Sequence, residues 1–141
     1  TTDLTFIKAV LVRANGYRAQ HAAVPLVWSP TQATFAQAQA NKCELKHSGG
    51  PYGENIYWIS SPQIDFYQQA NASFDGWMSE EPLYTQNFMT ALHYTQHVWK
   101  NSKRMGCAWT SKTCANQMGG FYFFCEYDPP GNVLGQFSTN V

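Results

Sequence analysis

Apolar residues near the amino terminus follow a helical spacing. They recur at three- and four-residue steps, which predicts one apolar stripe made of Leu4, Ile7, Leu11 and Ala14. Thr2 or Asp3 is a suitable cap for this first helix. A second helix is predicted to follow, because Ser29 can cap it and Pro30 suits its first position. Its Ala- and Gln-rich sequence continues to about Lys42.

The middle of the chain predicts two more helices. Ser61-Pro62 carries the same start signal, and the third helix is expected to end near Glu81 because a proline follows. Its apolar stripe consists of Tyr67, Ala70, Phe74, Trp77 and Met78. A connector from Leu83 to Phe88 then leads to a fourth helix over roughly Met89–Trp99.

Three segments have the composition of strands. Glu54–Ile59 either pairs as a strand or packs as an irregular segment. Arg104–Thr110 and Gly120–Tyr127 predict an antiparallel hairpin joined by the loop Thr113–Gly119, and the tail Val133–Val141 is expected to pair at a sheet edge. Strands and helices do not alternate strictly, so the pattern predicts an α+β fold with helices on both faces of a small sheet.

Length and composition favour a single domain over residues 1–141. Nine basic and nine acidic side chains balance, so the charge favours neither nucleic acid nor an anionic membrane surface as a partner. No apolar run approaches the ~20 residues of a membrane-spanning helix. No signal-peptide pattern opens the chain at Thr1, so we expect the sequence to be that of the mature form. We also expect the protein to be a monomer.

The cysteines and one asparagine indicate an extracellular protein. None of the four cysteines (Cys43, Cys107, Cys114 and Cys125) forms a Cys-x-x-Cys pair, which argues against a zinc ribbon or a redox motif. Asn71 opens the glycosylation sequon Asn-Ala-Ser. Disulfides are therefore favoured over free thiols, but the spacing leaves three connectivities open.

Four side chains are candidates for a functional site: His47, Glu54, Glu80 and His93. The Gly-rich turn between His47 and Glu54 allows both to point to one place, and Glu80 should emerge beside the buried stripe of the third helix. Two imidazoles and two carboxylates suit a divalent cation such as zinc, with the carboxylates as ligands or as acceptors that fix the rings. Spacing alone, however, favours polar groups that are merely satisfied at the edge of a core.

A second histidine pair argues against one class of enzyme. His93 and His97 stand four residues apart, as the two histidines of a zinc-protease helix do. That helix carries its catalytic Glu directly after the first histidine, whereas Tyr94 stands there in this chain. A protease of that class is therefore not expected.

Several motifs occur in a recognisable order from about Phe6 to Phe137. They are Tyr17-Arg18-Ala19-Gln20-His21, Pro25-Leu26-Val27-Trp28, His47-Ser48, Gly53-Glu54-Asn55-Ile56, Trp77-x-x-Glu80-x-x-x-Tyr84, His93-Tyr94-Thr95-Gln96, Val98-Trp99, Gly106-Cys107-Ala108 and Cys125-x-Tyr127-x-Pro129-Pro130-Gly131-Asn132. In these motifs the chain resembles the CAP superfamily of cysteine-rich secretory proteins, insect-venom antigens and plant pathogenesis-related proteins. The secreted fungal members look most similar.

The resemblance implies a three-layer α-β-α sandwich with a small, mainly antiparallel central sheet. It also implies the disulfides Cys43–Cys114 and Cys107–Cys125. It further implies a central cavity in which two histidines bind a divalent cation, with two glutamates behind them: His47, His93, Glu54 and Glu80.

The chain departs from the family pattern at three positions, one of which is Leu92, where the family usually has a small or charged residue. Ala14 stands where the family usually has a histidine, and His97 stands where it usually has an aliphatic residue. His97 either adds a third imidazole to the cavity or repacks the core, and we expect repacking.

The function that the resemblance implies is that of a secreted, non-enzymatic protein that binds a sterol or a fatty acid, as fungal relatives do. A groove between the first helix and the helix of Tyr67–Met78 would suit such a lipid. Ile64–Tyr67 is a candidate lining segment, but ordinary core or surface packing of this segment is the favoured interpretation. Two alternatives stay open: an extracellular interaction module for defence or virulence without a lipid, and a metal-dependent hydrolase with Glu54 or Glu80 as base. The family offers no settled reaction, so the enzyme is the least favoured of the three.

Overall fold

A computed structural model describes residues 2–116 and 119–141. Gln117 and Met118, in the centre of the predicted Thr113–Gly119 loop, lie outside the described residues. The helices are α1 (Leu4–Gln20), α2 (Pro30–Ala40), α3 (Phe66–Met78), α4 (Glu81–Tyr84), α5 (Leu92–Val98) and α6 (Phe137–Asn140), with a 3-10 turn at Phe88–Thr90. The strands are β1 (Val27–Trp28), β2 (Gly53–Ile59), β3 (Arg104–Trp109) and β4 (Phe121–Asp128).

The four strands form one sheet in the order β1-β3-β4-β2. The short β1 pairs in parallel with β3, and the other two pairings are antiparallel. The registers place Glu54 opposite Glu126 and Cys107 opposite Cys125. The sheet is therefore small and mainly antiparallel, as predicted.

Helices cover both faces of this sheet. On one face, α2 packs through Ala36 and Ala40 against Tyr122 and Phe124. On the other face, α1 and α3 form a larger core with alternate residues of β3 and β4. The helices contribute Phe6, Val10, Ala14, Ala70, Phe74 and Trp77, and the strands contribute Met105, Cys107, Phe123, Cys125 and Tyr127. Alternate strand residues point to opposite faces, so both layers are built on the same strands. The α-β-α sandwich is confirmed.

Two helix starts follow the local sequence as predicted. Asp3 Oδ1 accepts hydrogen bonds from the backbone nitrogens of Thr5 (3.0 Å) and Phe6 (3.2 Å) at the start of α1. Ser29 Oγ accepts one from Gln32 N (3.4 Å), and Pro30 is the first residue of α2. Both caps satisfy backbone donors that the first turn of a helix leaves free.

The buried face of α1 differs from the predicted stripe. Phe6, Val10, Ala14 and Arg18 are buried, whereas Leu4 is 79% exposed. The helix carries apolar residues on most of its circumference, so its sequence does not select a face, and packing against α3 and the sheet selects it. Arg18 is fully buried, where its guanidinium donates hydrogen bonds to four carbonyl oxygens: those of Val24, His97, Trp99 and Ser102.

The predicted start of the third helix is wrong. Ser61 bonds to Gln63 within a turn, and α3 begins at Phe66. Asp65 is its cap, accepting hydrogen bonds from Tyr67 N and Gln68 N, both at 3.0 Å. A carboxylate at a helix amino terminus also gains from the helix dipole, which favours the later start.

The segments around the fourth helix also differ from the prediction. The helix is shorter, because a 3-10 turn at Phe88–Thr90 precedes α5, which begins at Leu92 and ends at Val98. The short helix α4 begins at Glu81, before the expected connector, and ends at Tyr84 within it.

The carboxyl-terminal tail ends in α6 rather than in an edge strand. Phe137 packs edge to face on Trp99, with ring centroids 5.1 Å apart. This contact holds the end of the chain against the core.

Both disulfides pair as the resemblance implies. Cys43–Cys114 ties the loop after α2 to the segment after β3, and Cys107–Cys125 crosslinks β3 and β4 between directly opposite residues. The described part of the chain contains no free cysteine. Every helix described is too short or too polar to cross a bilayer.

Candidate functional site

Glu54 and His47 form the first of two carboxylate–imidazole pairs. Glu54 is the second residue of β2, and its Oε1 accepts a hydrogen bond from His47 Nδ1 at 2.9 Å and one from the backbone nitrogen of Ser48 at 2.8 Å. The side chain of His47 is 67% exposed, whereas that of Glu54 is 5% exposed. The loop that follows α2 thus folds back over the start of β2, as the turn glycines suggested.

Glu80 and His93 form the second pair. Glu80 follows the last turn of α3, and its Oε2 accepts from His93 Nδ1 at 2.7 Å. Its Oε1 accepts from the backbone nitrogens of His93 (3.0 Å) and Tyr94 (3.1 Å). The residue before α5 is Ala91, which cannot cap the helix, so Glu80, in the link between α3 and α4, caps it instead. The His93 ring also stacks on Trp77, with centroids 6.2 Å apart and planes 10° apart.

The four predicted side chains line one cavity of about 290 Å³. It is lined by His47, Glu54, Asn55, Glu80, Met89, Thr90, Leu92, His93 and Asn132. A groove of about 490 Å³ shares His47, Glu80 and His93 and has an aromatic wall of Tyr57, Trp58 and Trp77. Residues from the α2–β2 loop, β2, the end of α3 and α5 are thus brought together.

The hydrogen bonds set the electrostatics of the first pair. Burial opposes ionisation of Glu54, yet the hydrogen bonds that its carboxylate accepts from His47 and from the backbone nitrogen of Ser48 outweigh it and lower the pKa of this carboxyl. The hydrogen bond to Glu54 in turn raises the pKa of His47. Glu54 is therefore a carboxylate at neutral pH.

The donor set limits how the cavity can hold a metal ion. In both pairs the carboxylate accepts from Nδ1, so a neutral ring keeps its lone pair on Nε2, as in metal-binding histidines. Within residues 2–116 and 119–141, no three His, Cys, Asp or Glu side chains are placed together as a ready metal site. Each of the two imidazoles therefore has one nitrogen that could bind a cation, but the described side chains form no closed four-ligand site.

His97 lies outside the cavity and is fully buried. Tyr127 Oη donates to its Nδ1 at 2.8 Å, and its Nε2 donates to the carbonyl oxygen of Ala14 at 3.0 Å. The expectation that His97 repacks the core is confirmed. Two of the three departures from the family pattern, at positions 14 and 97, are in contact with each other.

Sequence reasoning missed Glu126, which is fully buried behind Glu54. The only signal was a single acidic residue inside the apolar segment Phe121–Tyr127. That segment does not reveal which residue of another strand lies opposite, so the contact with Glu54 was not predictable.

A separate aromatic cavity of about 240 Å³ lies at the amino-terminal ends of α1 and α3 and the end of β3. Its lining is Asp3, Phe6, Gln37, Phe66, Tyr67, Ala108, Trp109, Thr110 and Ser111. The candidate segment Ile64–Tyr67 contributes Phe66 and Tyr67. Asn71 lies on α3, half-buried beside Val12 of α1.

Comparisons with known proteins agree with this geometry. The model of the family described as "CAP: Cysteine-rich secretory protein family" matches residues 11–127. Pathogenesis-related protein 1C of Nicotiana tabacum is 41% identical over 132 residues, which cover 86% of this chain and 74% of that protein. Secreted protein PRY1 of Candida albicans is 34% identical over 143 residues, covering 99% of this chain but only 33% of that protein.

Solved structures show the same fold. The crystal structure of NaASP2 with Zn2+ superposes with a TM-score of 0.76 at 22% identity, covering 89% of this chain and 80% of that one. The structure of BmVAL-1 gives a TM-score of 0.74 at 25% identity, covering 95% of this chain and 81% of that one. The sandwich, the paired disulfides and the sequence matches lead to one conclusion: the chain belongs to the CAP family of cysteine-rich secretory proteins.

Proposed function

We propose that this CAP protein is secreted and binds a small lipid in the aromatic cavity between α1, α3 and the end of β3. The observation that carries the proposal is the cavity itself, in which Phe6, Phe66, Tyr67 and Trp109 surround about 240 Å³. Apolar pockets with a few polar groups are typical ligand sites. Two disulfides and the name of the PRY1 relative support secretion.

The contacts between α1 and α3 are polar near the carboxyl-terminal end of α3 and aromatic at its amino-terminal end. Near the carboxyl-terminal end of α3, Asp75 pairs with Arg13 (2.6 Å) and accepts from Tyr17 Oη (2.5 Å). At the other end, Phe6 and Tyr67 meet edge to face, and both belong to the lining of the cavity. An apolar ring system would therefore enter from the Tyr67 end. Burying ~200 Å² of its surface would contribute about 5 kcal/mol.

The polar lining favours a hydroxyl head group over a carboxylate. Asp3 contributes a carboxylate, and Gln37, Thr110 and Ser111 contribute neutral polar groups. None of the described lining residues is basic. A fatty-acid carboxylate would face Asp3 with like charge, whereas a sterol hydroxyl can donate to an acceptor here. Of the two lipid classes, we therefore propose a sterol.

Equilibrium binding of labelled cholesterol and palmitate tests this proposal. Cholesterol should bind more tightly than palmitate, and Phe66→Ala should weaken it about tenfold, a loss of about 1.4 kcal/mol. Leu134→Ala, at a residue that is 77% exposed and is not part of the lining, is the matched control. Asp3→Asn keeps a helix cap and removes the charge, so it should improve palmitate binding alone. Absence of cholesterol binding, or full binding by Phe66→Ala, would refute the proposal.

A second binding function rests on the two carboxylate–imidazole pairs. We propose that His47 and His93 hold a divalent cation such as zinc through Nε2, while Glu54 and Glu80 orient the rings. The support is that each Nδ1 is already engaged by a carboxylate. A bound cation would supply positive charge, and the protein contributes ring orientation and a partly enclosed cavity.

Calorimetric zinc titration checks the second function. His47→Ala and His93→Ala should each weaken zinc binding at least about tenfold, because each removes one of two protein ligands. His21→Ala removes an imidazole outside the cavity and should change nothing. Because the pKa of His47 is raised, affinity should increase as pH rises through that pKa. Unchanged zinc binding by His47→Ala would exclude this site.

A further inference from the structure

Glu54 and Glu126 form a buried pair of acidic side chains that the two proposed functions do not explain. They lie directly opposite each other on the antiparallel strands β2 and β4. Glu126 is fully buried, and the side chain of Glu54 is 5% exposed. Directly opposite side chains on antiparallel strands have Cβ atoms about 5 Å apart, and two like charges there are destabilising.

Among the described residues, most of the carboxyl oxygens of this pair have no hydrogen-bond donor. Glu54 Oε1 is satisfied by His47 and Ser48, but Glu54 Oε2 and both oxygens of Glu126 find no donor among the described residues. None of the ion pairs in the described part of the chain includes Glu126. Two bare carboxylates in this position would carry a large desolvation cost.

At the position opposite Glu126 on β3, the described part of the structure places no cation that could replace a proton. On β3, the residue opposite Glu126 is Gly106. A Cβ there would meet Ala33 N at 2.1 Å, so α2 lies tightly on the sheet and leaves no room for a long side chain. A single proton shared by the two carboxyls removes the charge repulsion and gives Glu54 Oε2 a donor.

We propose that Glu126 is a positioning residue of the cavity: it carries a proton at neutral pH and donates a hydrogen bond to Glu54 Oε2. This bond holds the charged carboxylate of Glu54 so that Oε1 faces His47 and Ser48. Burial raises the pKa of Glu126, and the neighbouring charge of Glu54 adds to the rise. The proposal does not depend on lipid or cation binding.

Infrared spectroscopy of the whole protein at neutral pH tests where the proton lies. The parent should show the carbonyl-stretch band of a protonated carboxylic acid. Glu126→Gln, which keeps a donor but has no carboxyl, should lose that band. Absence of the band in the parent would overturn the proposal, as would its persistence in Glu126→Gln, because another group would then hold the proton.

Amide hydrogen exchange tests the positioning role. The backbone N–H of Ser48 should stay protected in Glu126→Gln and exchange about tenfold faster in Glu126→Met, which keeps the size but removes the donor. Ladder amides such as Ile56 N–H should be unchanged in both variants. Equal Ser48 protection in the parent and in Glu126→Met would show that Glu126 does not position Glu54. If Glu126→Met does not fold, the infrared comparison decides the proposal by itself.

Discussion

The buried imidazole of His97 makes the stability of this protein depend on pH. Its Nδ1 accepts from Tyr127 Oη, which only the neutral ring can do. Burial lowers the pKa of His97 from 6.5 to about 4, and the charges of Arg18 and His21 act in the same direction, against the hydrogen bond to Ala14. In the unfolded chain the ring has its ordinary pKa.

The difference between the pKa of His97 in the folded protein and in the unfolded chain sets the sign and the size of this pH dependence. Between pH 6.5 and 4 the unfolded chain binds more protons at residue 97 than the folded protein does. The contribution of His97 to stability is therefore fully present above pH 6.5 and is lost as pH falls towards 4. The loss amounts to about 2 kcal/mol at pH 5 and about 3 kcal/mol at pH 4.

Guanidinium unfolding of the oxidised protein at pH 7 and pH 5 measures this loss. His97→Gln and His97→Leu are both expected to be less stable than the parent at pH 7, but neither can protonate at this position. The drop in unfolding free energy from pH 7 to pH 5 should be smaller in both variants than in the parent by about 2 kcal/mol. Protonation of the other titratable groups changes the unfolding free energy of the parent and of the variants alike, so its effect cancels in the comparison.

Two results would refute this reasoning. One is an equal drop in the parent and in both variants. The other is an imidazole resonance of His97 in the folded protein that titrates near pH 6.5. Either would mean that the folded protein accommodates the charged ring.

Three further predictions concern stability and modification. Arg18→Met should reduce the unfolding free energy by at least about 3 kcal/mol, since four carbonyl oxygens, three of them in buried hydrogen bonds, lose their donor. Arg13→Met removes one partner of an exposed ion pair and should reduce the unfolding free energy by less than about 1 kcal/mol. If denaturant titrations gave similar losses for Arg18→Met and Arg13→Met, the argument would be contradicted. Replacing Cys43 and Cys114 by alanine frees a loop with a sequence separation of 71 and should cost up to about 4 kcal/mol, again by denaturant titration. Protein from a eukaryotic secreting host should lose mass on enzymatic deglycosylation, and Asn71→Gln should not; equal mass loss would place the glycan elsewhere.

Local sequence was a good guide wherever the deciding contacts lie within one turn. The caps Asp3 and Ser29 act on donors two or three residues away, so their side-chain chemistry was sufficient. The start of α3 shows the limit of such signals. Ser61 and Asp65 can each cap a helix, and the sequence does not rank two competing caps four residues apart.

The sequence by itself determined the class of the fold, most of its strands and helices, the expectation of disulfides and, through family motifs, the four cavity residues. It did not determine which imidazole pairs with which carboxylate, since Glu80 reaches His93 only because α3 ends beside the start of α5. Nor did it reveal that His97 fills the core beside Ala14, or that Glu126 stands opposite Glu54. Caps and turns depend on neighbours along the chain, whereas sheet register and the packing of layers join residues that are far apart in sequence. Only the assembled tertiary structure decides those pairings.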